Sequence, residues 1–352
     1  MEISELYKIF EQHQTVTTDS RDCPEGSLFF ALKGASFDGN KFAAMALDKG
    51  CAYAVVDEAE YATDPRCILV DDCLHTLQHL ALYHRRQLAT PIIGITGTNG
   101  KTTTKELTAA VLGEKYNVLY TQGNFNNDIG VPKTLLRLRP EHQIAVVEMG
   151  ASHPGDIKTL VDIVGRGNFG SFEGVISTKG ELYDFMRTKP QSKRTVFIDM
   201  ENPYLRGIAS ELDLVGYACA DSDNLFVNGR IVDCEPMLHF QWRHTEEGGA
   251  EQWHDVHSHL IGAYNVTNML AAVTIGTYFD VTPEQIVHAL ENYVPSNNRS
   301  QFEQTADNRL IVDAYNANPT SMAAALSNFQ VINAEHKMCI IGDMKELGEV
   351  SH

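Results

Sequence analysis

Short apolar runs bounded by turn residues alternate with longer amphipathic stretches along most of the chain, the pattern of strands feeding helices. Up to about residue 88, strand-like pieces at Ser27 to Leu32, Ala52 to Val56 and Cys67 to Val70 mix with helical stretches such as Cys73 to Leu88. This predicts a small α/β unit. Pro91 opens a new pattern: an apolar strand over Ile92 to Thr96, a Gly-rich turn, a helix from about Lys101 to Leu112 and a further strand over Ile144 to Glu148. Strands with a helix between them at that distance predict a parallel sheet. The acidic stretch Thr245 to Glu251 reads as a solvated hairpin or loop, and the pattern changes again near Pro295 to Ser300. Beyond it, Leu310 to Asp313 predicts a strand, Pro319 suits the first turn of a helix running to about Phe329, and Met338 to Ile341 predicts the next strand. The expected domains are 1–88, 89–297 and 298–352. The last is read as the first part of a longer α/β domain, because two strands rarely stand alone.

Composition agrees with a globular reading. A length of 352 residues suits two or three domains, and 43% hydrophobic with 21% charged residues excludes disorder, collagen and coiled coil. No apolar run approaches the roughly 20 residues of a membrane span. Met1 to Phe10 has neither the basic start nor the apolar centre of a signal peptide, so a cytoplasmic monomer without a membrane partner is expected. Lys and Arg total 28 against 46 Asp and Glu, a formal charge of −18, which disfavours nucleic acid. An anionic ligand must then find its cations locally. The seven cysteines are scattered and contain no Cys-x-x-Cys pair, which reads as reduced thiols and not a zinc or disulfide framework.

The strongest chemical signal is Thr96-Gly97-Thr98-Asn99-Gly100-Lys101-Thr102-Thr103-Thr104, between a predicted strand and a predicted helix. There, backbone N–H groups and the helix N-terminus can wrap a polyphosphate, Lys101 can reach its terminal oxygens and Thr102 can ligate Mg²⁺. Position 95 is Ile, so the loop is the shorter G-x-x-G-K-T form.

This spelling resembles that of the Mur ligase superfamily, ATP-dependent amide-bond-forming enzymes of peptidoglycan stem-peptide synthesis. Three further segments follow in the family's order: Thr121-Gln122-Gly123-Asn124-Phe125-Asn126-Asn127-Asp128-Ile129-Gly130-Val131-Pro132, Val147-Glu148-Met149-Gly150-Ala151 and Gly262-Ala263-Tyr264-Asn265-Val266-Thr267-Asn268. Within the superfamily, Asp313-Ala314-Tyr315-Asn316-Ala317-Asn318-Pro319 and Gly342-Asp343-Met344-Lys345-Glu346-Leu347-Gly348 are most similar to the branch that joins D-alanyl-D-alanine to UDP-N-acetylmuramoyl tripeptide. The preceding ligase of that series would show a DYAH-type segment at the first place. A folate-polyglutamylating relative would lack Asp19-Ser20-Arg21 and the run from Lys33 to Gly39.

The resemblance implies a three-domain α/β architecture: a small N-terminal domain for the UDP-sugar substrate, a central parallel-sheet P-loop ATPase domain and a partial C-terminal Rossmann-like domain. It implies activation of a carboxylate by ATP as an acyl phosphate, then attack by the amine to give ADP and phosphate. Gly97, Thr98, Asn99, Gly100, Lys101, Thr102 and Thr103 would hold the phosphates, Asn265 and Asn268 the adenine neighbourhood, Asp313 the ribose hydroxyls and Arg299 a phosphate. Thr102 and Glu148 would ligate Mg²⁺, and Lys179 would be carbamylated and bridge a second Mg²⁺. Ser20, Arg21, Lys33, Phe37 and Asp38 match the UDP-sugar site, and Asn124 and Asn127 would line the activated carboxylate. A sister ligase using another amino acid, and a nucleotide-binding homologue without turnover, remain open alternatives.

One departure stands out. The branch carries a strand and a metal-ligating His just before the Phe169-Gly170-Ser171 segment, whereas this chain passes from Val164 to Phe169 with no His and too few residues for that strand. Omission of a stretch is the expectation here, since a missing central strand would leave unpaired sheet edges. Gly165-Arg166-Gly167-Asn168-Phe169-Gly170 spells a dinucleotide fingerprint but follows a helix-like run, the wrong context. His254, His257 and His259 suggest a metal cluster, with His257 and His259 on one strand face, yet no acidic or cysteine partner is recognised at ligand spacing.

Overall fold

The computed structural model describes residues 1–352 except 35, 152, 154, 165–167, 170–175, 191–193, 246–251, 297, 300, 343 and 345–352, and omits the side chains of 168, 169 and 176–179. The Thr245 to Glu251 loop and the dinucleotide-like run therefore lie largely outside the described residues. The chain divides into two compact units.

The first unit comprises Met1–Gly94, Asn117–Phe169 and Ser177–Lys193. Helix α1 (Ile3–His13) buries Leu6 and Phe10, which lie four residues apart on one face. Strands β1 (Val16–Thr17), β2 (Leu28–Phe30), β3 (Tyr53–Val56) and β4 (Cys67–Leu69) form a parallel sheet in that order. Helix α2 (Ala43–Asp48) connects β2 to β3, and α3 (Cys73–Gln87) follows β4 with Asp72 capping it by accepting from His75 N. Covered parallel strands read as continuous apolar runs, and Leu28, Phe29 and Phe30 are all buried.

Strand β5 (Ile92–Ile95) is buried throughout and leads to α4 (Lys101–Gly113). The chain then gives β6 (Val118–Tyr120), α5 (Gly130–Leu135), β7 (Ile144–Glu148), α6 (Asp156–Val164), β8 (Asn168–Phe169) and α7 (Ile176–Arg187). The second sheet has the order β6-β7-β5-β8, with parallel pairing of β6 with β7 and of β5 with β8. This bears out the parallel-sheet expectation. It also corrects one inference: the passage from Val164 to Phe169 does carry a strand, since two residues suffice to pair Asn168 and Phe169 with Ile93 and Gly94.

The second unit comprises Ile95–Tyr116, Gly170–Ile176 and Arg194–His352. Its sheet is built from β9 (Thr195–Asp199), β10 (Asp213–Ala218), β11 (Val227–Cys234), β12 (Met237–His244) and β13 (His254–Ile261), with α8 (Pro203–Ile208) between the first two. The order is β13-β12-β11-β10-β9, parallel from β9 to β11 and antiparallel from β11 to β13. Helix α9 (Asn265–Tyr278) is buried on nearly every side, as its near-continuous apolar sequence requires. Helix α10 (Pro283–Asn292) opens with a Thr282–Gln285 capping box.

Strands β14 (Gln301–Gln304) and β15 (Arg309–Val312) form an antiparallel hairpin, followed by α11 (Pro319–Val331). Pro319 occupies the first helical turn as predicted, with Asn318 as the cap. Met338 to Ile341, predicted as a strand, has no strand structure; Met338 and Ile340 are 80% and 86% exposed. An apolar run becomes a strand only with a neighbour to complete its ladder, and no described strand pairs with it.

Candidate nucleotide-binding and catalytic site

In the second unit, the loop that follows β5 is fixed from α9. Gly100 caps α4 at φ +74°, a backbone conformation glycine adopts without strain. A Cβ added there would strike the Asn268 side chain. The Asn268 Oδ1 accepts from Thr104 Oγ1 at 3.1 Å, its Nδ2 donates to Asn265 Oδ1 at 2.8 Å, and Asn265 Nδ2 donates to the Ile261 carbonyl at 2.8 Å. All three side chains are buried. The relay runs from the end of β13 to the first turn of α4, so the two asparagines hold the loop in shape. Thr104 was not among the sequence candidates; its signal is only the third Thr of the run.

Lys101 Nζ donates to the Gly97 carbonyl at 2.7 Å and to the Thr98 carbonyl at 3.3 Å, curled over the loop at the N-terminus of α4. Thr102 and Thr103 are buried, while Thr98 is exposed at the rim. Thr96 is 1% exposed and its Oγ1 has no hydrogen-bond partner among the described residues. Glycines, orphan helix N–H groups and a lysine in this order make an anion cradle. Asn99 Oδ1 accepts from Asn318 Nδ2 at 2.7 Å, so the cap of α11 also touches the loop. Asp313 follows β15 directly and is exposed. Arg299 stacks over the Tyr315 ring at 3.9 Å, and its Nε makes no hydrogen bond among the described residues.

In the first unit, Glu148 ends β7 and is 1% exposed. Its N–H donates to Thr121 Oγ1 at 3.0 Å, and its Oε1 accepts from Asn126 Nδ2 at 2.8 Å. The Asn126 carbonyl in turn accepts from Gly150 N at 2.7 Å. Asn126 is thus the asparagine that orients the carboxylate, whereas the sequence candidates were its neighbours. Asn124 is exposed, and Asn127 Oδ1 accepts from Gly130 N at 2.8 Å, shaping the entry to α5. An oxygen donor held this way suits a hard divalent cation. Lys179 lies on α7, with its side chain outside the described residues.

Near the start of the chain, Arg21 grips Asp19 through Nε at 2.9 Å and Nη2 at 2.7 Å, holding that carboxyl well below the usual range. Lys33 bridges Asp57 at 2.9 Å and Glu58 at 2.8 Å, and these bonds, that to Asp57 first, raise its pKa. Asp38 accepts from Asn40, which lowers its pKa, and Ser20 offers its carbonyl to Lys49. Phe37 is 57% exposed. Arg21 and Lys33 are therefore pre-paired, and an anionic ligand must draw them from carboxylates.

Three family profiles match the chain: "Mur ligase family, catalytic domain" over residues 13–85, "Mur ligase middle domain" over 95–276 and "Mur ligase, glutamate ligase domain" over 298–352. The UDP-N-acetylmuramoyl-tripeptide–D-alanyl-D-alanine ligase of Bacillus subtilis is 33% identical over 353 residues, covering 95% of this chain and 74% of that protein. The ligase of the same name from Escherichia coli is 34% identical, covering 96% and 76%. A crystal structure of MurF from Acinetobacter baumannii superposes with a TM-score of 0.83 at 31% identity, covering 98% of this chain and 80% of the other. The expected superfamily resemblance holds over nearly the whole sequence, and the chain belongs to the Mur ligase family.

Proposed function

We propose that this chain is the ATP-dependent ligase that joins D-alanyl-D-alanine to UDP-N-acetylmuramoyl tripeptide in peptidoglycan precursor synthesis, releasing ADP and phosphate. The observation that carries the reading is the phosphate loop built on the buried Asn265–Asn268–Thr104 relay, in a chain about one third identical to ligases of that name. Amide formation from a carboxylate and an amine in water is uphill, so the carboxylate is first phosphorylated. The amine then attacks the acyl phosphate carbonyl, forming the C–N bond as phosphate leaves.

Catalysis here is chiefly positioning and charge neutralisation. Gly97, Thr98, Asn99, Gly100 and Thr103 wrap the phosphates, and Lys101 leaves its loop carbonyls to meet the terminal ones. Asn265 and Asn268 act by holding that loop. Asp313 and Arg299 reach ribose and phosphate from the last segment. Mg²⁺, when bound, would neutralise charge on the phosphoryl group; Thr102 is proposed as a ligand from the phosphate loop, and Glu148 and a carbamylated Lys179 as ligands from the first unit. Ser20, Arg21, Lys33, Phe37 and Asp38 take the UDP-sugar, with Asn124 and Asn127 toward the carboxylate. The division into 1–88, 89–297 and 298–352 assigns these tasks to three domains.

The test is phosphate release measured with each substrate withheld in turn. Release requiring ATP, UDP-N-acetylmuramoyl tripeptide and D-alanyl-D-alanine together is expected. Equal release without the dipeptide, or with another amine preferred to it, overturns the substrate assignment.

A further inference from the structure

Away from the residues discussed so far, the outer face of the second unit's sheet gathers metal-binding side chains. In the antiparallel registers, Asp233 of β11 stands opposite His239 of β12, and His239 opposite His257 of β13. The three form one row across three strands. Asp255 lies two residues before His257 and so faces the same way, as the alternating burial of β13 shows. This corrects the sequence reading of the histidines: His257 has an acidic neighbour in Asp255, and the third side chain of the cluster is His239 of β12, not His254 or His259.

The contacts are close. His239 Nε2 and Asp255 Oδ1 are 2.9 Å apart, and one ligand atom from each of His239, Asp255 and His257 lies within 4.8 Å of the others. The His239 and His257 rings lie 3.9 Å apart and 20° from parallel. Around a tetrahedral Zn²⁺ with bonds near 2.0–2.1 Å, neighbouring ligand atoms sit about 3.3 Å apart, so small side-chain rotations complete the geometry. Asp233 Oδ2 lies 3.0 Å from His239 Nδ1, the outer carboxylate that fixes the ring of a ligating histidine, and Gln241 Nε2 donates to Asp255 Oδ1 at 2.9 Å. Register shifts fall beside this row on both sides, between Ile231 and Asp233 and between Met237 and His239, where bulges re-aim side chains.

We propose that His239, Asp255 and His257 form a site for a borderline divalent transition metal, with Zn²⁺ as the type case and Asp233 as the outer-shell carboxylate. Two imidazoles and one carboxylate select such ions over the hard Mg²⁺ of phosphoryl transfer. The −18 formal charge favours any cation at the surface. The half-exposed Asp255 side chain leaves solvent access for a fourth ligand. The inference is independent of the ligase reading.

The test uses the whole chain, stripped of metal and held in excess Mg²⁺, titrated with Co²⁺ and then with Zn²⁺. Expected is one Co²⁺ equivalent more than for the His239→Ala, His257→Ala double variant, with an absorption spectrum lacking a thiolate charge-transfer band, since the three ligands are nitrogen and oxygen donors; such a band would report Co²⁺ on the free cysteines instead. Zn²⁺ should displace that Co²⁺ and raise the Tm of the parent but not of the variant. Asp255→Asn, a milder change, should keep the fold and weaken Co²⁺ binding at least tenfold. Equal stoichiometry in parent and double variant, a thiolate band accounting for all bound Co²⁺, or undiminished affinity in Asp255→Asn overturns the site.

Discussion

The Thr104 hydroxyl donates to the Asn268 side-chain carbonyl, and that same carbonyl is what a Cβ on Gly100 would strike. One buried amide therefore sets both the first turn of α4 and the glycine before it. Asn268→Ala removes both the acceptor of the Thr104 hydroxyl and the donor to the Asn265 side-chain oxygen. Burying such orphans costs about 1–3 kcal/mol. The expected result is a Tm lower by several degrees and an ATP KM raised tenfold or more, read by thermal melts and phosphate release. Asn268→Asp, which keeps the Thr104 acceptor and loses the donor to Asn265, should fall between.

Gly100→Ala meets two penalties at once: the left-handed φ of +74° and the collision with Asn268. A left-handed non-glycine residue costs about 1–2 kcal/mol before any clash. ATP binding measured calorimetrically should be lost or weakened beyond a hundredfold in a protein that still folds. Asn268→Ala in the same chain should restore part of it, because the clash partner has gone.

Lys101→Ala removes the cation poised over the loop at the start of α4. Phosphate release should fall by several orders of magnitude with the Tm nearly unchanged, since a transition-state charge partner is lost while the fold is not. Near-normal turnover would remove Lys101 from the mechanism.

Asn126→Ala frees one Glu148 oxygen from its 2.8 Å donor without touching the carboxylate itself. If Glu148 acts as a cation ligand, kcat should drop roughly tenfold to a hundredfold and the Mg²⁺ concentration for half-maximal rate should rise, as for lost outer-shell partners of metal ligands. Asn126→Asp should do worse than Ala by placing a second anion against a buried one. A Tm change with no shift in Mg²⁺ dependence would make the contact purely structural.

These positions show what the sequence could and could not reveal. The 92–95 and 144–148 strands, the α4 helix and the Pro319 start were legible because local rules decide them: apolar runs, glycine before lysine, proline at a first turn. The antiparallel part of the β9 to β13 sheet was not, since half-buried β12 and β13, where polar and apolar residues alternate, gain their meaning only from cross-strand register. Candidate residues in the phosphate loop were readable from spacing. Asn126 and Thr104 were hidden because asparagines and threonines in loops and caps look alike until their partners are known. Met338 to Ile341 carried a strand pattern with no described neighbour to pair it.

His84 gives the fold a pH dependence with a definite sign. It is 6% exposed, with Nε2 3.0 Å from the Leu138 carbonyl and Nδ1 3.2 Å from the Tyr7 hydroxyl, a set satisfied by the neutral ring carrying its proton on Nε2. Burial pushes its pKa below the usual value. The unfolded chain therefore binds more protons than the native one as pH falls below about 6.5, the ordinary His value, and stability declines there until the native pKa is passed. Replacing His84 with Gln, which keeps a donor without titrating, should lower the Tm at pH 8 through imperfect packing. The same variant should lose less Tm than the parent between pH 7 and pH 5. His79, His142 and His254 shift the same way through burial and keep some slope in both proteins. Parallel Tm–pH curves for parent and His84→Gln would show that His84 takes no part in that slope.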